Sequence, residues 1–193
     1  VNFYLLETLG EPDEELCLLD NYVDGIDRYS WRSHQGEPLA PDWPKDAKIF
    51  MSPENPGIKL ASFLGNTNSM LIVSRELKDV IQAHCKNEIE YLPFTLYDHR
   101  KRVRSRDYFV VNPLGTHDCL DFKASDIGWS KNDPTKALLV RKHVLQRDKV
   151  VDAPPLFRIG QAPSSYLLRT DLARAIYDRG FTNLLWKKLP FSG

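Results

Sequence analysis

The chain has 193 residues, 42% hydrophobic and 27% charged, and its 26 basic and 26 acidic side chains cancel. That apolar content excludes a disordered chain, and the missing basic excess argues against a dedicated nucleic-acid binder. Three cysteines without a CxxC spacing argue against a disulfide framework or a structural zinc site and fit a reducing compartment.

The opening residues 1–8, VNFYLLET, read as a strand, and they lack the basic start and long apolar core of a signal peptide. No apolar run is long enough to span a bilayer, so a cytoplasmic protein is expected. The first residue is Val1 rather than Met, which leaves room for residues upstream. Residues 9–46 are rich in Gly, Pro, Asp and Trp and predict irregular structure with one short strand near 16–19. A further short strand is predicted at 48–51.

The apolar run 69–73 predicts a buried strand. Ser74 follows as a helix N-cap, and Leu77, Val80, Ile81 and His84 stand at helical spacing, predicting a helix over 75–85. Asn87 ends it, and Ile89, Tyr91 and Phe94 read as a strand. Tyr108–Val111 predicts a buried strand, and 137–145, which alternates in part, predicts a further strand. Strands at 156–159 and 163–169 precede a second helix with Thr170 as its N-cap and Gly180 just past its end. Residues 181–189 predict the closing strand.

Two stretches, 69–94 and 165–191, share this strand–helix–strand pattern. Leu77, Val80, Ile81, Ile89 and Tyr91 match Leu172, Ala175, Ile176, Leu184 and Trp186 at one offset. One such unit cannot bury its own apolar face, so the two are expected to share a core. The predicted fold class is α+β, with mixed, mostly antiparallel sheets, few helices and two diverged strand–helix–strand units. One domain over 1–193 is expected, divisible into subdomains of about 1–97 and 98–193.

Charge is unevenly placed. Residues 1–27 carry Glu11, Asp13, Glu14, Glu15, Asp24 and Asp27 among their acids and no Lys or Arg. Residues 99–106 carry Arg100, Lys101, Arg102, Arg104 and Arg106. Solvated loops account for either run, and the two would then simply face each other. As a functional surface, the acidic run suits docking of a basic protein, with Tyr29, Trp31 and Trp43 as aromatic anchors. The basic run suits an acidic partner or, flanked by Tyr97 and Tyr108, a nucleic acid.

His117 and Cys119 stand two apart, as neighbours on one face of a strand would, and invite a Cys–His enzyme reading. The apolar setting of Cys119 favours an inert core thiol instead. Asp118 and Asp121 are expected to cap turns. No metal-ligand spacing and no phosphate-binding glycine loop is present, so no catalytic, metal or cofactor residue is assigned.

The segments LIVSRELKDVI from Leu71, IEYLPF from Ile89, DYFVVNPLGTHDCLDFKAS from Asp107 and LFRIGQAPSSYLLRTDLARAI from Leu156 resemble, in order, the Imm11 family of bacterial immunity proteins. The resemblance covers about residues 60–190 and leaves the first 50 outside. Arg169 and His117 stand where the pattern departs from apolar residues. The resemblance implies a non-enzymatic protein that binds and neutralises a cognate toxin or effector of a polymorphic toxin system, such as one delivered by type VI secretion. It implies no cofactor, nucleic acid or membrane, and a monomer or small homo-oligomer is expected.

Overall fold

The computed structural model of the chain describes the backbone of residues 1–193 and every side chain except that of Asp27. In chain order the elements are β1 (Phe3–Glu7), β2 (Leu18–Leu19), β3 (Lys48–Phe50), β4 (Gly65–Asn66), β5 (Leu71–Ser74), α1 (Arg75–His84), β6 (Ile89–Tyr97) and β7 (Val103–Pro113). There follow β8 (Asp126–Trp129), β9 (Ala137–Lys142), β10 (Leu156–Ile159), β11 (Ala162–Arg169), α2 (Thr170–Asp178) and β12 (Leu185–Lys188). The fold is α+β, and its sheets are mostly antiparallel, as the sequence pattern predicts.

Several boundaries differ from the sequence expectation. The irregular N-terminal part holds two 3-10 helices, Asp27–His34 and Ala40–Asp42, besides the short β2. The basic run is not a separate loop, because β7 begins at Val103 and carries Arg104 and Arg106 within it. β9 stops at Lys142, and it pairs with the unpredicted β8 in an exposed hairpin whose register slips twice. β8 is only four residues long, Asp126–Trp129, and none of it is fully buried, so it shows no apolar alternation to read.

Two four-stranded sheets dominate, with orders β3-β6-β7-β5 and β10-β11-β1-β12. In the first, β5 and β6 lie on either side of β7 and both run antiparallel to it, so α1 carries the chain across an inserted strand. The second has the same plan: α2 joins β11 to β12 across β1. The middle strand of each sheet lies outside its strand–helix–strand unit. β7 follows the first unit and completes it, while β1, from the N-terminus, completes the last.

Both sheets are buried on both faces, and so their central strands read as continuous apolar runs rather than alternating ones. Ile72, Leu92, Leu96 and Val110 face a core closed by Val23, Ile26, Leu39 and Ile49 of the N-terminal segment. Leu71, Val73 and Val111 face the opposite way, into a core shared with Leu6, Tyr166 and Leu168 of the other sheet. Both helices enter that shared core, α1 through Leu77, Val80 and Ile81 and α2 through Leu172, Ala173 and Ile176. Ala175, expected in the α2 stripe, packs half-buried against the same core, and Ala173 adds a buried contact beside it. A third core lies behind the second sheet, where Phe3, Phe157 and Leu167 meet Leu120, Leu145 and Leu189.

Ser74 caps α1 as predicted, its side chain accepting from the Leu77 N–H at 3.4 Å. Thr170 does not cap α2. Its hydroxyl instead exchanges two hydrogen bonds of 2.9 Å with the backbone of Asn2, pinning β1 to the start of the helix. Gly180 follows α2 with φ +69°, as expected of a residue just past a helix end.

His143 gives the fold a pH dependence. Its Nε2 is buried without a partner, and burial, then the nearby Lys187 charge, hold its pKa below the ordinary value of 6.5. The folded state therefore binds the proton less readily than the unfolded state. The stability this supplies is complete above about pH 6.5 and is lost as pH falls toward the lowered pKa. The urea midpoint is expected to drop between pH 7 and pH 5.5, and His143→Gln is expected to shrink that drop. An unchanged drop in the variant assigns the effect elsewhere.

Candidate functional site

The acidic N-terminal run forms a loop laid across the segment 57–65. The Cys17 N–H donates to the Lys59 carbonyl and the Lys59 N–H to the Glu15 carbonyl, both at 2.9 Å. A Cβ on Gly57 would collide with the Leu16 carbonyl, so the two backbones approach as closely as glycine alone permits. Asn183 anchors the other end, accepting from the Glu11 N–H at 2.6 Å and donating to the Phe63 carbonyl at 2.9 Å. Held this way, Glu11, Asp13, Glu14 and Glu15 are exposed. The first three, with Glu54, line a groove of about 730 Å³ whose apolar lining includes Leu9, Leu16, Cys17 and Leu18.

The basic run is equally well held. In the β6–β7 turn the Asp98 carboxylate accepts the Arg100 and Arg102 N–H groups at 2.8 and 2.9 Å and grips the Arg102 guanidinium at 3.0 and 2.8 Å. Lys101 occupies the left-handed region at φ 58°. Arg100, Arg102, Val103 and Arg104 line a second groove of about 650 Å³ together with Ile58. Between the grooves, Glu14, Glu15, Ile58, Lys59 and Arg104 share a shallow depression. Arg104 donates to the Ile58 carbonyl at 3.4 Å, and Lys59 lies 3.6 Å from Asp13. The two charge runs, far apart in sequence, meet on one face.

The aromatic candidates lie elsewhere. Tyr29 and Trp43 pack against the N-terminal core, and the Trp43 indole donates to the Pro93 carbonyl at 2.8 Å. Trp31 is 53% exposed on the first 3-10 helix, beside the Arg32 guanidinium. Asp24 is exposed near β3, its N–H bonded to the Lys48 carbonyl. None of these four lines either groove. The Asp27 side chain lies outside the described residues. Arg106 is exposed on β7. Tyr108 is buried with its hydroxyl on the Ala61 carbonyl, and the Tyr97 ring packs 5.0 Å from Phe50, so the expected stacking pair does not flank the basic run as an open platform.

The profile of the immunity protein family Imm11 matches residues 19–189. The chain belongs to this family. The match begins at residue 19, so most of the N-terminal segment expected to fall outside the family lies within it, while Glu11, Asp13, Glu14 and Glu15 precede it. No curated protein matches the chain. Immunity proteins act on a cognate toxin, and that partner is implied here by membership.

In this Imm11 protein many residues of the segments that carried the resemblance pack into the cores. Cys119 is fully buried, and burial pushes its thiol up to about 12, opposite to what a nucleophile requires. The neighbouring His117 holds the Lys149 carbonyl at 2.7 Å. An alkylating probe is expected to label Cys119 only on unfolding. Rapid native labelling, read by intact mass, would contradict this burial. Asp121 caps the turn at Lys123 and Ala124 as predicted, whereas Asp118 pairs with Lys149 at 2.9 Å. Arg169, a departure from the family pattern, grips Asp171 with its guanidinium and donates to the Ala153 carbonyl.

Sequence reasoning missed the principal buried polar group. Arg158 is 1% exposed. Its guanidinium donates to the Pro113 carbonyl at 2.9 Å, the Pro163 carbonyl at 2.7 Å and the Asn112 side-chain oxygen at 2.8 Å, and it lies 4.5 Å from the Tyr166 ring centre. Asn112 in turn donates to Glu90, whose carboxylate accepts the Leu39 and Ala40 N–H groups. This chain links the two sheets to the N-terminal segment. The signal was present in Leu-Phe-Arg-Ile, where a cation interrupts a strand buried along its whole length.

Among the described residues no cluster of three His, Cys, Asp or Glu side chains is placed to hold a metal. Among the described residues no helix is long and apolar enough to cross a membrane.

Proposed function

We propose that this Imm11 protein neutralises a cognate toxin in the cytoplasm by binding it stoichiometrically, with the acidic loop Glu11, Asp13, Glu14 and Glu15 in the contact. The family match over residues 19–189 carries this reading. Two features support it. The exposed carboxylates are held on a braced loop, which reduces the ordering cost of association. Exposed carboxylates on one face also steer a basic partner and fix its orientation. The polymorphic-toxin and type VI setting belongs to the same proposal, as does a monomeric or small oligomeric state. Trp31 stands apart as a second anchor candidate.

The test is a titration of the toxin encoded beside this chain. Toxin activity is expected to fall linearly and vanish at equimolar immunity protein, with the toxin's mass unchanged. Inactivation by a small fraction of an equivalent would point to turnover. No protection and no complex would sink the proposal.

A further inference from the structure

We infer that the toxin-facing surface is dipolar: the acidic groove at 9–18 and the basic groove at 98–104 form one docking face, with Ile58 as the apolar contact between them. This rests on the direct-binding reading above. The fold brings the two runs together through the segment 56–59, which contributes to both grooves. Ile58 is 54% exposed on that segment, and Leu9, at 57%, and Val103, at 42%, flank it on the acidic and basic sides. Exposed apolar side chains ringed by charge have the anatomy of an interface core with a polar rim.

The two charge sets do not neutralise one another. Glu11 and Glu14 have no ion pair among the described residues, and neither have Arg100 and Arg104. The basic side is also a sheet edge. β5 pairs with β7 only as far as Tyr108, so Val103–Asp107 has no strand on that side. Charged residues guard such an edge in the free protein, and an oppositely charged partner removes the guard. The occupant that fits is a toxin surface with a basic patch beside an acidic one, around an apolar socket for Ile58. Such a dipole fixes one docking orientation, because the reversed one sets like charges together.

The experiment measures binding of the neighbouring toxin to the wild-type chain and to three variants, Glu11→Lys/Glu14→Lys, Arg100→Glu/Arg104→Glu and Ile58→Asp. Circular dichroism checks that each variant is folded. Each charge pair is expected to weaken binding roughly 10–100-fold at low salt, mainly through slower association, with the loss shrinking at high salt. Ile58→Asp is expected to weaken binding by a similar factor, through faster dissociation and with little salt dependence. If the wild type binds but the arginine variant binds equally well, the dipolar face is wrong while direct binding stands. If the wild type does not bind, both fail. The face is also self-complementary, so sedimentation of the free protein is the second readout. A stable dimer dissolved by these same variants would assign the face to a second copy and overturn the proposal.

Discussion

Replacing Arg158 with methionine is expected to destabilise the fold by about 3–5 kcal/mol, because three acceptors of the buried guanidinium lose their donor at roughly 1–3 kcal/mol each. Methionine approximates the arginine stem, so little of the loss comes from a cavity. The loss comes from acceptors left facing an apolar chain: the Pro113 and Pro163 carbonyls and the Asn112 oxygen all give up their donor. For a chain of this length that corresponds to a melting temperature lower by on the order of 10 °C. Arg158→Lys keeps the charge but not the planar fork that reaches three acceptors, and it should recover less than half of the loss. Urea unfolding of both variants measures this directly. Wild-type stability in the methionine variant would show that water satisfies the acceptors once the guanidinium is gone.

Cutting the chain between Tyr97 and Asp98 is expected to leave neither half able to fold alone. The fragment 1–97 retains β3, β5 and β6 but loses β7, which pairs with both β5 and β6. The fragment 98–193 retains β10, β11 and β12 but loses β1, which pairs with both β11 and β12. Each fragment would expose a split sheet and half of the core that α1 and α2 share. Neither is expected to show cooperative unfolding by circular dichroism, whereas co-expressed fragments should co-purify as one folded species. A cooperative transition in 98–193 by itself would mean that β1 is dispensable, and that the Thr170–Asn2 bonds and the burial of Phe3 and Leu6 contribute little.

Local chemistry was readable wherever one residue's neighbours in sequence are also its neighbours in space. The Ser74 cap, the α1 stripe, the Asp121 turn and the position of Gly180 all follow from residues within four places of each other. Thr170 shows where that reading stops. A threonine before a helix is a sound N-cap, but the N-terminal strand arrives from 168 residues away and takes its hydroxyl. The strand–helix–strand plan of both units was legible from helical spacing between apolar runs. The strand inserted in each was not, because pairing across a sheet leaves no mark in local periodicity.

The charge runs follow the same division. Sequence alone determined that residues 1–27 are acidic and 99–106 basic, and that the Gly-, Pro- and Asp-rich stretch 9–46 is irregular. It also determined the two-unit plan, the resemblance to Imm11 and the apolar setting of Cys119, since composition, periodicity and motif order are properties of the string. The tertiary structure decided that the acidic loop and the basic turn share one face across Ile58, that Trp43 and Tyr29 cover a core, and that Arg158 ties the sheets together. Those outcomes depend on contacts between residues tens to more than a hundred positions apart. Such contacts form because burying both faces of two sheets at once brings together segments that no local preference relates.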